Sequence, residues 1–232
     1  MTGVERAGME IEVPDLTEAA GELVPDDRVT RAADRPDPVR GAVSLGVPVV
    51  QPITAELAGD DAALRAFLAD QAWSFHLVHL GATFTPGEDA RFGQAWLTVR
   101  LARDDGAEVP PPIVWSLTPQ RAERPVERSR SLKLGANLGF EASVELGTTG
   151  KASEVFVESY GLQEPACTWE FTPTSSDEVR GSQRLALVAR IPREAAVTGS
   201  VDLRATLTRK RLGVFPFRVA LDSGEPLSFA LA

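Results

Sequence analysis

The sequence predicts an all-β protein: an antiparallel β-sandwich of about ten strands, with one short helix and a flexible acidic amino-terminal arm. Three observations support this prediction. Apolar and polar residues alternate without error from residue 132 to residue 146, the same alternation returns in later segments, and short turn-forming stretches separate the candidate strands. Because successive side chains of a strand point to opposite faces, each segment has one face for a core and one for water. One large sandwich and two packed sandwiches, divided near residues 120–130, both fit.

The amino-terminal arm is assigned to residues 1–41, and the sandwich domain to residues 42–232. The first forty residues contain ten carboxylates against five arginines, together with four prolines. Such a composition is typical of chain that does not bury a core. Only Asp15–Leu23 has the capping residues of a short helix. An arm of this kind can instead dock on a partner or add a strand to a sheet edge.

The next segments predict one edge strand and the single helix. Gly41–Ile53 is rich in valine and favours extended chain, but Pro48 and Pro52 remove backbone donors, so we expect at most an edge strand. In residues 60–69 two aspartates precede apolar residues at helical spacing, which predicts the helix.

From residue 73 onward we predict a succession of strands. Residues 73–84 and 94–102 flank a polar connection, which predicts a β-hairpin. The other candidate strands are residues 113–117, 132–146, 155–160, 168–171, 184–191, 201–208, 215–221 and 227–231. Their short separations favour antiparallel pairing over a parallel sheet covered by helices.

The alternating segment 132–146 is longer than an ordinary strand. At roughly 3.3 Å per residue it would span about 50 Å, whereas most strands have five or six residues. Gly135 and Gly139 lie on its polar face and favour bends in one long strand that belongs to two sheets. The alternative is a membrane-inserting hairpin over residues 132–160, because a membrane-crossing strand needs only about 9–11 alternating residues.

The lipid-facing side chains of that hairpin would be Leu132, Leu134, Leu138, Phe140, Val144 and Leu146. Its second strand, from Ser153 to Tyr160, has no face that is entirely apolar. We therefore expect the long bent strand, and retain the membrane-active protein as an alternative.

Charge and composition exclude several classes of partner. The formal charge of −9 opposes binding to nucleic acid and to anionic lipid, since both are polyanions that bind clusters of Lys and Arg. The single cysteine, Cys167, permits neither an internal disulfide nor a cysteine zinc cage. Neither a secretory leader nor a long apolar run is evident. The single cysteine and the missing leader favour the cytoplasm, and the abundance of arginine and alanine favours a bacterial origin. We therefore expect a bacterial cytoplasmic protein.

No catalytic centre, metal site or cofactor site is predicted. His76 and His79 are three residues apart in a predicted strand, so they face opposite sides and cannot share a metal ion. Either could act as a lone general base with a serine such as Ser74, but the Gly-x-Ser-x-Gly turn of many hydrolases is missing. A hydrolase that uses His76 or His79 is the second alternative.

A basic cluster contrasts with the acidic background. It consists of Arg121, Arg124, Arg128, Arg130 and Lys133. Most such clusters are solvated, but an acidic partner, or the arm of a neighbouring copy, could bind here. We therefore expect a non-catalytic interaction module, an adaptor or assembly subunit that binds another protein or a second copy of itself.

Overall fold

The fold was analysed in a computed structural model. The structure describes residues 18–22, 24–25, 42–58, 62–69, 72–87, 90–106, 108, 110–127, 151–211, 215–222 and 225–231. These residues form two antiparallel sheets that pack on each other, which confirms the predicted all-β sandwich with one short helix. The strands are β1 (Glu18–Glu22), β2 (Val24–Pro25), β3 (Ala42–Gly46), β4 (Val49–Ile53), β5 (Trp73–Thr85), β6 (Ala90–Arg103), β7 (Ile113–Thr118), β8 (Arg121–Glu127), β9 (Lys151–Tyr160), β10 (Ala166–Phe171), β11 (Gly181–Pro192), β12 (Val197–Arg211), β13 (Phe215–Asp222) and β14 (Leu227–Ala230).

Many neighbouring strands in each sheet come from distant parts of the chain. The first sheet has the order β1-β3-β5-β11-β7, with β4 also paired to β5, and the second has β2-β13-β12-β6-β10-β9-β8, with β14 also paired to β12. Every pairing among the described residues is antiparallel. The chain crosses between the sheets after β5 and again after β7, so neither pair of consecutive strands is hydrogen-bonded. The predicted hairpin between residues 73–84 and 94–102 is therefore wrong: β5 pairs with β3, β4 and β11, whereas β6 pairs with β10 and β12. The two segments face each other across the core as strands of opposite sheets.

The sequence left a short helix open within the amino-terminal arm, over Asp15–Leu23, but the part of that segment which the structure describes is a strand. Glu18–Glu22 is a strand that pairs with β3, for example through Ala20 and Ser44, and Val24–Pro25 pairs with β13. An isolated helix of this length is marginal in water, whereas a strand satisfies the free backbone groups along β3. Since β1 covers β3, the edge-strand prediction for Gly41–Ile53 holds only for β4.

The one α-helix among the described residues, α1 (Ala62–Leu68), confirms the prediction for residues 60–69. A 3₁₀ turn at Ala55–Ala58 precedes it. Leu68 is buried with Phe75 of β5, whereas the neighbouring Phe67 is 43% exposed. The helix therefore covers the outer face of the first sheet near the start of β5 and leaves one aromatic ring in contact with solvent.

The core lies between the two sheets and forms one continuous cluster. Along β6, Leu97, Val99 and Leu101 are buried while the residues between them are less so, as strand alternation requires. Trp169 of β10 has no exposed surface, and its Nε1 donates a hydrogen bond to the carbonyl oxygen of Pro119 at 3.1 Å. That bond satisfies the indole N–H inside the core.

Candidate functional sites

Strands β8 and β9 form a hairpin at the edge of the second sheet. Their register pairs Arg121 with Glu158 and continues to Glu127 opposite Lys151, with one shift next to Ala122. Strand β10 pairs with β9 only over residues 157–160. Residues 172–175 contact Phe156 and Glu154, but the only strand that pairs with residues 151–156 of β9 among the described residues is β8. We call this two-stranded end of the hairpin, residues 123–127 with 151–156, the ribbon.

The ribbon leads directly into residues 128–150, which lie outside the described residues. This range holds the predicted long strand 132–146 and the three basic residues Arg128, Arg130 and Lys133. Its two ends meet at the Glu127–Lys151 pair. The membrane-hairpin alternative has Ser153–Tyr160 as the partner of the alternating segment, but these residues belong to β9 and pair with β8.

The other two members of the basic cluster are paired within the chain. Arg121 Nε lies 2.9 Å from Glu123 Oε1, and Arg124 Nη1 lies 3.3 Å from Asp177 Oδ2. Arg124 also stacks on the buried ring of Phe156, with Cζ 4.6 Å from the ring centroid. An acidic partner would therefore have to compete with Glu123 for Arg121 and with Asp177 for Arg124.

Glu123 joins the two strands of the ribbon. Ser153 on β9 donates a hydrogen bond to its carboxylate, and Arg121 donates a second one. The hydrogen bond from Ser153, followed by the charge of Arg121, lowers the pKa of Glu123 below its ordinary value. These contacts are exposed to solvent, so they add little to the stability of the ribbon.

Ser74 and His76 lie next to each other, which is the contact that the hydrolase alternative predicts. His76 Nε2 lies 3.3 Å from Ser74 Oγ, and both residues line a cavity of about 390 Å³. Pro52, Ile53, Leu68, Phe75 and Arg193 contribute to the lining. Burial lowers the pKa of His76, which favours the neutral imidazole that a general base needs.

The second nitrogen of that imidazole has no partner. His76 Nδ1 is buried without a hydrogen bond among the described residues, so nothing there fixes its tautomer or stabilises its protonated form. His79, also buried, is a separate side chain whose pKa is likewise lowered by burial. Ser74 Oγ and His76 Nε2 are therefore in contact, but no side chain in the described part of the chain orients the imidazole.

Cys167 lies in the core on β10. Burial raises the pKa of its thiol to about 12, against a hydrogen bond with the backbone of Val99 that lowers it. A thiol with this pKa holds almost no thiolate at neutral pH, so it packs as a small apolar group.

Sequence reasoning missed one group of side chains, on the outer face of the first sheet. The Arg190 guanidinium lies close to the indole rings of Trp73 and Trp115, and Phe75 and Phe67 complete the group, which we call the Arg190 cluster. Trp73 and Phe75 are two residues apart and share a strand face, which the sequence could have revealed. Strands β7 and β11 bring the other members, and their register cannot be read from local sequence.

Comparison with known proteins shows no family for this chain. No family model matches the chain, and no curated protein matches it. One similar solved structure is Clostridium perfringens delta-toxin, with a TM-score of 0.30, 7% identity, and coverage of 92% of this chain and 87% of that chain. Another is named "Pore forming protein", with a TM-score of 0.26, 7% identity, and coverage of 90% and 94%. Similarity at this level establishes neither a family nor a function.

No helix in the described ranges has the length and apolar character to span a bilayer. The adaptor role, the protein partner, the cytoplasmic location and the lack of enzymatic activity stay predictions.

Proposed function

We propose that the protein is membrane-active and pore-forming, and that residues 128–150 cross a bilayer as one β-hairpin of a barrel built from several copies of the chain, since only a closed barrel pairs every strand edge in lipid. The base of each hairpin is the β8–β9 ribbon. The observation that supports this proposal is the register of the ribbon, in which Glu127 lies opposite Lys151. A ladder continued from that pair would place Leu132 opposite Leu146 and Leu134 opposite Val144. The turn would then fall at Gly139.

This register gives the alternating segment a simpler explanation than one strand of about 50 Å. All its apolar residues have even numbers, and the continued register pairs even with even, so both arms would present one apolar face. On the other face Lys133 would lie opposite Glu145, a favourable cross-strand charge pair. A single hairpin with one lipid face and one wet face is the pattern of membrane-crossing strands.

The arms also have a suitable length. With a three-residue turn at 138–140, residues 128–137 and 141–150 would supply about 10 residues each, and a tilted membrane strand needs about 9–11. The mixed polarity of Ser153–Tyr160, which argued against a membrane hairpin, no longer does so. Those residues belong to β9, which pairs with β8 at the base and would stay outside the lipid.

Dye release from vesicles tests the proposal. The full chain is added to phosphatidylcholine vesicles loaded with a self-quenched dye, a neutral lipid being chosen because the chain carries a formal charge of −9. We expect release by the natural sequence and a loss of at least about tenfold in Leu134→Asp, because a charge on the lipid face is costly. Ser143→Asp, which adds the same charge on the polar face, is the matched control and should still release dye.

Two results would contradict the proposal: no release by the natural sequence at any pH or protein-to-lipid ratio, or equal release by Leu134→Asp. The register has its own test. Cysteines that replace Lys133 and Glu145 should form a disulfide in vesicle-bound protein, whereas cysteines at Lys133 and Glu141 should not, because the second pair would be four residues out of register.

A further inference from the structure

The Arg190 cluster encloses a cation between aromatic rings from neighbouring strands. Arg190 Cζ lies 4.3 Å from the ring centroid of Trp73 and 4.9 Å from that of Trp115. In the register of the sheet Arg190 on β11 lies opposite Phe75 on β5 and opposite Ile113 on β7. The central strand therefore supplies the charge, and strands on both sides supply the rings.

A β-bulge positions the second indole. Val114 lies opposite Ala189 and Ser116 opposite Val188, which leaves Trp115 as the extra residue of β7. Bulges of this kind turn a side chain out of the regular alternation. Trp115 reaches Phe75 at 5.9 Å between ring centroids, on the same outer face as Arg190.

One wall of the cluster is open to solvent. Phe67 of α1 lies 4.9 Å from Phe75 and 5.6 Å from Trp115 between ring centroids, yet it is 43% exposed. An apolar ring in this position presents a surface that a ligand can cover.

The Arg190 guanidinium has no ion pair and no hydrogen bond in the described part of the chain, and its Nε is buried. Aromatic rings attract a cation through their faces but accept none of its five N–H donors in ordinary hydrogen bonds. Arg124 offers an internal comparison, because it also stacks on a ring but lies within 3.3 Å of Asp177. A partly buried arginine without an acceptor costs free energy that a bound anion would recover.

We propose that the Arg190 cluster binds a small organic anion, specifically a carboxylate attached to an apolar body. The guanidinium fork matches a carboxylate with two parallel hydrogen bonds. One unpaired cation suits a single negative charge, and Phe67 with Trp115 suits an apolar chain or ring. This activity does not depend on the proposed membrane hairpin, which leaves the body at Lys151. The cluster lies at the other end of β9, where Gln163 N donates to the carbonyl oxygen of Val114 at 2.8 Å.

Tryptophan fluorescence of the full chain tests the proposal, with octanoate as the probe. We expect a saturable change with octanoate and at least about tenfold weaker binding by Arg190→Met, because a charge-assisted bidentate contact is lost. Arg184→Met removes an exposed charge from the same strand and should bind octanoate as the natural sequence does. Phe67→Ser should weaken octanoate binding while the chain still unfolds in one cooperative urea transition, at a somewhat lower midpoint because Phe67 packs on Phe75 and Trp115. This variant keeps the test valid if Arg190→Met does not fold.

Two further probes separate charge from apolar contact. Octanol has the same chain without the charge and should bind at least about tenfold more weakly than octanoate. Equal binding of octanol would overturn the carboxylate site and leave only an apolar patch. Tighter binding of octyl phosphate would overturn the choice of carboxylate, and no saturable change with octanoate would overturn the site as a whole.

Discussion

The turn between β9 and β10 permits a quantitative test of the backbone. Gly161 has φ +92°, and a Cβ added to it would lie 2.1 Å from the carbonyl oxygen of Ala166 and 2.8 Å from Cys167 Cα. Both are backbone atoms, so neither can move aside by changing a rotamer. Gly106 also has a positive φ, +69°, but a Cβ there would meet nothing within 4 Å. The two glycines share the conformational requirement and differ in the space around them.

The expected free energies follow from that difference. A left-handed conformation costs an L-residue about 1–2 kcal/mol, and alanine recovers about 0.4–1 kcal/mol by restricting the unfolded chain. Gly106→Ala should therefore lower the free energy of unfolding by no more than about 1.6 kcal/mol. Gly161→Ala must also displace the start of β10, and we expect a loss of about 3–4 kcal/mol, as for other overpacked buried sites with added strain.

Urea unfolding followed by tryptophan fluorescence measures both losses. Gly181→Ala, with φ +77° and nothing within 4 Å of the added Cβ, serves as a second control and should match Gly106→Ala. Equal losses for Gly161→Ala and the two controls, within about 0.5 kcal/mol, would refute the reasoning.

The other predictions concern ionisation. Cys167 should resist a thiol reagent at pH 8 in the folded protein and react fully in urea, because burial raises the pKa of its thiol to about 12. For the same reason the free energy of unfolding should fall as the pH rises above 9.0, the ordinary pKa, since only the unfolded chain then ionises the thiol. Burial lowers the pKa of His76 and His79 below 6.5, so the free energy of unfolding should also fall as the pH drops through that value. Replacing both histidines with glutamine should reduce this second decrease, measured by urea unfolding at pH 5 and pH 7.

The sandwich could be predicted because period-two alternation reports burial directly. In β12 the residues Val201, Leu203, Ala205 and Leu207 are buried, as their spacing predicts. The helix could be predicted for a similar reason, since its apolar residues recur at helical spacing, whereas those of the later strands recur at every second residue. In each case the information lies within a few neighbouring residues.

The amino-terminal strands could not be predicted in this way. The segment Glu18–Glu22 contains two alanines and two glutamates, residues that favour a helix, and its strand conformation comes from pairing with Ala42–Gly46. This pairing is a tertiary contact between segments about twenty residues apart, and the sequence of neither segment indicates the other as its partner. Propensity therefore gave the wrong answer where a neighbouring strand decided the structure.

The same distinction between local and tertiary information applies to the candidate sites. Ser74 and His76 are two residues apart on one strand, so their contact could be expected from the sequence. Arg190 lies more than seventy residues from Trp115, and the bulge in β7 decides where that ring points. Alternation alone would have assigned Trp115 to the regular strand pattern and missed the cluster.

The ribbon beyond Pro125 and Ser153 connects the fold to the proposed function. A two-stranded hairpin is marginally stable alone, and this part of β8 and β9 has no third strand beside it among the described residues. The polar contacts of Glu123 beside it are exposed and add little, so the paired ribbon can move away from the body as a unit at small cost while the core around Trp169 stays intact. An element that must enter a membrane benefits from this placement, because local opening then frees it without unfolding the sandwich.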